Sequence, residues 1–294
     1  MSFNNANPGK DVSLEDLGEK LSRIAFSDSR TKFKVKDVVF GTNKIQVFAG
    51  PNTVENEEMI IDVARKVKRA GASVLRGGAF KPLTFPHRSP TYRDTGQEGL
   101  NWLKSAAAET GILVATEVMD IRQLDAVCEV ADFLQIGSRN MQNFPLLVEA
   151  AKTQKAIILK RHFGCSMRDW LGAAEYVLEQ SNSKVILCER GVTAPHTHKA
   201  TSRFLLDLQV IPALREITHL PTMVDPSHAT FWSPWVAPLA KAAIVAGADT
   251  IMIEVHPTPR NAWVDPLQAI DYQEFTDLMS EMDLVAKAVG KQVL

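Results

Sequence analysis

The chain has 294 residues, 45% of them hydrophobic and 23% charged, a balance that excludes a disordered polymer and supports a sizeable core. A formal net charge of -1 leaves no general field to gather nucleic acid or an anionic membrane, so any anion site has to be built locally. Cys128, Cys165 and Cys188 are few, odd in number and outside metal-type spacing, which argues against a disulfide framework and for a reducing compartment, the cytoplasm.

Residues 1–10 are polar and rich in asparagine, with no apolar stretch behind a basic start, so they do not read as a secretion signal. Residues 13–25 read as a short helix, with Ser13 as its cap and Leu14, Leu17, Leu21 and Ile24 as its apolar stripe. Residues 33–40 alternate and are β-branched, and Gly41-Thr42-Asn43 follow as a turn, which predicts a hairpin-like lead into the first core strand.

From there one theme repeats: a short apolar run, a polar or glycine-containing break, then a segment of helical period. The runs fall at 45–49, 73–76, 112–116, 133–136, 156–159, 184–188, 222–224 and 250–253. Their helical partners fall at 57–70, 98–109, 121–130, 144–152, 167–179, 205–218, 236–246 and 272–289. No run reaches membrane-spanning length, because the most hydrophobic stretch, 236–255, is broken by Lys241, Asp249 and Glu254. Strands alternating with helices imply parallel pairing through right-handed crossovers, and eight such units close into a (β/α)8 TIM barrel of the α/β class. Residues 1–44 then form an N-terminal extension and 45–294 the catalytic barrel. A doubly wound open sheet is the competing architecture, but no glycine fingerprint opens a first helix.

In such a barrel the chemistry sits where the strands pass into the following loops. The residues just past the runs are Asn52, Arg76 with Lys81, Glu117, Arg139, Lys160 with Arg161, Glu189 with Arg190, Asp225 with His228, and Glu254 with His256. Any one of them is as readily a solvated surface group as a functional one, whereas eight converging sets are harder to dismiss. Arg76, Lys81, Arg139, Lys160 and Arg190 suit phosphate and carboxylate, which points to a small polyanionic substrate. Gly77-Gly78 and Gly137-Ser138 would let backbone approach it closely, although glycine after a strand more often only makes a turn. His228, Glu254 and Asp265 are of metal-binding type, a weak signal on spacing alone. His87, His162, His196, His198 and His256 are as readily loop or hydrogen-bonded histidines.

The same residues stand in strings that resemble the type I 3-deoxy-7-phosphoheptulonate (DAHP) synthases. They are Phe48-Ala49-Gly50-Pro51, Leu75-Arg76-Gly77-Gly78-Ala79-Phe80-Lys81-Pro82, Thr116-Glu117-Val118-Met119-Asp120 and Gln135-Ile136-Gly137-Ser138-Arg139-Asn140. Leu159-Lys160-Arg161, Cys188-Glu189-Arg190-Gly191, Val224-Asp225-Pro226-Ser227-His228 and Met252-Ile253-Glu254-Val255-His256-Pro257 continue the match in order. The branch it is most similar to shares its ancestry with 3-deoxy-octulosonate 8-phosphate (KDO8P) synthase. The resemblance implies a phosphoenolpyruvate-dependent aldol-type condensation with an aldehyde, giving a 3-deoxy-2-ulosonate and phosphate. It implies that Arg76, Lys81, Arg139, Lys160 and Arg190 hold phosphoenolpyruvate and that Lys81, Glu117, His228 and Asn52 are the catalytic set. Asn52, Thr84, Arg88 and Asp225 fall on the acceptor side, and a homo-oligomer, tetramer or dimer, is expected.

Three departures bear on that expectation. Asn52 stands where the family's metal-binding members carry cysteine, and an amide is a far poorer ligand for a thiophilic ion than thiolate. We therefore expect no required cofactor, with Mn2+ or Zn2+ on His228, Glu254 and Asp265 as the alternative. Leu83 replaces the arginine that grips the phosphate of erythrose 4-phosphate, a lost contact of roughly 1.5–3 kcal/mol. Residues 192–202 also look extended and lack the family's arginine-containing string. The donor side is thus expected to be retained and the acceptor side changed. Two alternatives stand beside this reading: a genuine DAHP synthase using erythrose 4-phosphate, and a catalytically silent regulatory or scaffold barrel.

Overall fold

The computed structural model describes residues 29–81, 94–195 and 203–294; the helix expected at 13–25 lies outside them. An antiparallel hairpin comes first, β1 (Phe33–Val35) and β2 (Val38–Phe40). Eight parallel strands follow: β3 (Gln46–Gly50), β4 (Val74–Arg76), β5 (Leu113–Val118), β6 (Phe133–Ile136), β7 (Ala156–Lys160), β8 (Val185–Glu189), β9 (Thr222–Val224) and β10 (Thr250–Glu254). They pair in chain order and β10 closes on β3, with Thr250 opposite Gln46 and Glu254 opposite Gly50. No helix among the described residues is long and apolar enough to cross a membrane.

Around the strands lie α1 (Glu57–Arg69), α2 (Gly96–Thr110), α3 (Leu124–Cys128), α4 (Phe144–Lys152), α5 (Met167–Leu178), α6 (Val210–Ile217), α7 (Pro226–Thr230), α8 (Val236–Ala246) and α9 (Tyr272–Ala288). Side chains alternate across each strand, so each strand serves two cores. Val47, Leu75, Val114, Leu134, Ile157, Leu187 and Ile251 face outward into the layer shared with the helices. Phe48, Val74, Leu113, Phe133, Ile158, Ile186 and Met252 face inward and pack with Phe33 and Phe40 of the hairpin. Phe40 stands edge-on to Phe133 with ring centres 4.9 Å apart, and Phe48 does the same at 5.1 Å. The hairpin is therefore an aromatic stopper in the floor of the barrel.

The structure refines several expected boundaries. Strands β7, β8 and β10 each run one residue past the apolar run, because their last members, Lys160, Glu189 and Glu254, are charged yet buried. The helix expected at 205–218 starts only at Val210. Leu205 instead exchanges two backbone hydrogen bonds with Val192, and Asp207 takes Arg161 at 2.8 Å. The short helix α7 was not expected at all: Asp225 caps it by accepting from the His228 amide at 3.1 Å, and five residues are too few to show a period.

At the floor, Asp249 gathers Arg30 and Arg215 at 3.1 Å each, with Lys291 at 3.7 Å, joining three distant parts of the chain. Phe133 joins the hairpin to the barrel wall. Truncating it, Phe133→Ala, is expected to cost roughly 3–5 kcal/mol of stability in denaturant melts.

Candidate active site

The alternation that fills the barrel also builds the site. Inward positions read Leu113, Ala115, Glu117 along β5 and Ala156, Ile158, Lys160 along β7, apolar below and charged at the top. The same step carries Val74 to Arg76, Phe133 to Gln135 and Met252 to Glu254. Beyond β8 it carries Ile186 and Cys188 to Arg190, and beyond β9 it carries Met223 to Asp225. Glu189 has the other parity and faces out, where it accepts from Arg161 at 3.0 Å and from the Gly191 amide at 2.6 Å.

A cavity at this end is lined by Lys81, Glu117, Gln135, Arg139, Lys160, Arg190, Arg203, His228 and Asp265, with Phe163, Phe204 and Val264 as its apolar wall. A narrower recess beside it holds Asn52 and Arg76 and shares Glu117 and Gln135. Lys160 Nζ lies 2.7 Å from Asp225 Oδ2, and Arg76 Nη1 lies 3.7 Å from Glu254 Oε2. The Gln135 amide donates to Glu117 at 3.2 Å, and Gln268 donates to Glu254 at 2.6 Å. Gly137 gives room to Glu117 and not to a ligand, since a Cβ there would sit 2.0 Å from the Glu117 carboxylate. Gly77 likewise yields to Val54, whose methyl would be 2.9 Å from an added Cβ. Asp265 and Phe231 both hold left-handed backbone, φ 51° and 57°, an arrangement that persists for a non-glycine residue only where the surroundings impose it.

Burial governs the electrostatics. It pulls the Lys81 ammonium below its ordinary pKa, with Arg76 and Lys160 adding to the effect against Glu117 and Asp265. It pushes the Glu254 carboxyl up to about 7, with Asp265 adding to the rise against Arg76. It brings the Arg190 guanidinium down to about 10, with Arg203 adding to the fall against Asp225. Burial also pulls His228 well below its ordinary pKa, with Lys160 and Arg76 adding to the fall against Asp225. For Asp225 burial is overridden, and His228, Lys160 and Arg76 hold it well below the carboxylate range. Buried Asn52 Oδ1, Arg76 Nη1, Arg190 Nη1, His228 Nδ1, Glu254 Oε1 and Gln268 Oε1 make no hydrogen bond within the protein. His228 Nδ1 is 2.9 Å from Asp225 Oδ2, but out of line for one. Polar atoms left without a protein partner at this end of the barrel are suited to a polar ligand.

Of the residues predicted from sequence, Asn52, Arg76, Lys81, Glu117, Arg139, Lys160, Arg190, Asp225, His228, Glu254 and Asp265 all come to this end; Arg139 is exposed on its rim. Thr84 and Arg88 of the expected acceptor side lie outside the described residues, as do His87, His196 and His198. His256 is held by Glu55 at 3.2 Å, away from the cavity lining. Sequence reading missed Arg203, which follows the altered loop and enters the cavity, and it missed Gln135 and Gln268, neutral residues that carry no charge signal.

His228 Nε2 and Glu254 Oε2 are 3.7 Å apart, but Asp265 turns elsewhere, taking the Asn52 amide at 3.2 Å and Arg203 at 3.7 Å. Among the described residues no three or more of His, Cys, Asp and Glu are grouped to hold a metal ion. With an amide donating from position 52, the residues present do not fit a thiolate-type divalent site.

A family model described as the DAHP synthetase I family matches residues 24–289. The phospho-2-dehydro-3-deoxyheptonate aldolase of Thermotoga maritima is 40% identical over 274 residues, 93% of this chain and 79% of that one. A 2-dehydro-3-deoxyphosphooctonate aldolase of Fusobacterium nucleatum is 30% identical over 88% of this chain and 98% of its own. A crystal structure of the Thermotoga maritima DAHP synthase superposes with a TM-score of 0.85 at 39% identity, over 92% of this chain and 78% of that one. A truncated form of 3-deoxy-D-arabino-heptulosonate 7-phosphate synthase from the same organism gives 0.85 at 38%, over 94% and 100%. With nearly its whole length matched in sequence and in fold, the chain belongs to the DAHP synthetase I family.

Proposed function

We propose that this family member joins phosphoenolpyruvate to an aldehyde whose site differs from that of erythrose 4-phosphate, and that it does so without a metal. The family fixes the broader activity: a transferase that makes a carbon–carbon bond with phosphoenolpyruvate and releases phosphate. One observation carries the reading of the donor side, the convergence of Arg76, Lys81, Lys160 and Arg190 around Glu117 at the barrel mouth. Guanidinium and ammonium donors in a buried pocket suit the phosphate and carboxylate of the enol ester and fix its plane.

In this reading C3 of phosphoenolpyruvate attacks the aldehyde carbon, a carbon–carbon bond forms, and positive character develops at C2. Glu117, held by Gln135, faces that centre, orients the water that adds to it and takes the proton the water gives up. The C2–O bond to phosphate then breaks with its electron pair on the leaving phosphate, which takes the C2 hydroxyl proton as the ketone forms. The new hydroxyl needs a proton, and Lys81, an ammonium already weakened by burial, is the donor best matched to that task. Asp225 anchors Lys160 at 2.7 Å and caps the helix that presents His228, so it acts on the chemistry through its neighbours.

On the acceptor side Leu83 offers no charge, while Asn52 and Asp265 are linked to each other across the recess. A genuine DAHP synthase is the second reading, favoured by the 40% identity to a phospho-2-dehydro-3-deoxyheptonate aldolase.

Three results test the proposal. Calorimetry should show phosphoenolpyruvate uptake that Lys160→Gln weakens roughly 10- to 100-fold, as expected for one lost charge-assisted contact; undiminished binding removes Lys160 from the donor site. Phosphate release should be poor with erythrose 4-phosphate compared with other aldehydes in a panel that includes arabinose 5-phosphate and unphosphorylated acceptors. Efficient DAHP formation instead establishes the second reading. Turnover should survive exhaustive chelation, and an activity that vanishes and returns with Mn2+ or Zn2+ refutes the metal-free reading.

A further inference from the structure

We propose that Arg203 is a specificity-determining residue that takes an anionic group, a phosphate ester or a carboxylate, on a short aldehyde acceptor. The inference rests on the donor-site reading above and names the chemistry of the second substrate.

The basic groups of the pocket fall into two tiers. Arg76 and Lys160 are sunk in the barrel mouth, with side chains 4% and 5% exposed, where they surround the space assigned to phosphoenolpyruvate. Arg203 lines the same cavity but is 24% exposed, above them and toward solvent. Its guanidinium carbon stands 5.0 Å from the centre of the Phe231 ring and 5.7 Å from that of Phe204. Two aromatic faces restrict a long side chain that would otherwise lose considerable rotamer freedom on engaging a ligand. Phe231 is one of the two residues in left-handed backbone near the mouth, so its ring position is imposed by the surrounding structure.

The opposite face of this arrangement ties Arg203 to the acceptor recess. Its Nη1 lies 3.7 Å from Asp265 Oδ2, the oxygen that also accepts from the Asn52 amide at 3.2 Å. Asn52 and Arg203 therefore flank a single carboxylate, and a molecule touching both need span only a few bonds. Between the tiers, Phe204 also carries Arg190 on its ring at 4.4 Å, so one aromatic plane positions a donor-side and a rim-side guanidinium. Phe163 and Val264 add an apolar stretch to a wall that also carries the Ser138 hydroxyl and the Gln135 amide, so Arg203 supplies the charge on this side. This is the charge that Leu83 cannot supply, delivered from a different loop.

The test uses matched aldehydes and the full-length protein. Phosphate release is measured with glyceraldehyde 3-phosphate against glyceraldehyde, erythrose 4-phosphate against erythrose, and succinic semialdehyde against butyraldehyde, for the wild type, Arg203→Gln and Arg203→Lys. In the wild type kcat/KM should favour the charged member of at least one pair, and which pair does so separates phosphate from carboxylate. Arg203→Gln should shrink that ratio roughly 10- to 100-fold, Arg203→Lys should restore part of it, and the Kd for phosphoenolpyruvate should move less than about twofold. The proposal falls if the ratio survives Arg203→Gln, if charged and neutral acceptors lose turnover alike, or if phosphoenolpyruvate binding weakens in step with the acceptor. Bound phosphoenolpyruvate with turnover but no charge preference overturns only this inference. No phosphate release from any aldehyde overturns the proposed function and this inference with it.

Discussion

Removing a guanidinium or ammonium from water costs several kcal/mol unless opposite charge or hydrogen-bond acceptors replace the lost hydration. The protein buries Arg76, Lys160 and Arg190 together at the mouth of one barrel, and the rest of the site is arranged around that constraint. Asp225 and Glu254 each stand against one of these cations, while Arg76 Nη1 and Arg190 Nη1 still make no hydrogen bond. The compensation within the chain is incomplete, and in the proposed function an incoming polyanion completes it. Glu254 pushed up to about 7 and Arg190 brought down to about 10 express the same strain from the two signs of charge.

The architecture was legible because a closed parallel barrel leaves a periodic mark. Each strand run reads as a short apolar word followed by a polar residue, and the eight runs found that way are the eight strands observed. The charged residues gathered at the barrel mouth were legible for a related reason, since a charge directly after an apolar run keeps the parity of its strand. That rule fails where neighbouring charges have opposite parity: Glu189 and Arg190 are adjacent in sequence, yet only Arg190 enters the cavity. A list of strand-end charges cannot separate them without knowing which apolar residues face in.

What remained hidden in the sequence depends on contacts between distant segments. Arg203 follows an irregular loop, and its approach to the site is fixed by Phe204, Phe231 and Asp265, whose proximity no spacing reveals. Helix α7 is too short to show a period, although Asp225-Pro226 at its start is an N-cap followed by proline at the first helical position. The expected trio of His228, Glu254 and Asp265 divides in the same way: two approach each other, while the third is drawn away by Asn52 and Arg203. The Asn52 amide thus holds a carboxylate more than two hundred positions away in the chain.

The aromatic stopper formed by Phe33, Phe40, Phe48 and Phe133 packs the base of the barrel with apolar rings. Under the proposed function, reactants and products would share one doorway, the loop-lined mouth. The molecule seated deeper would then arrive before its partner, so that four phenyl rings, remote from any reacting atom, set the order of traffic at the other end of the barrel.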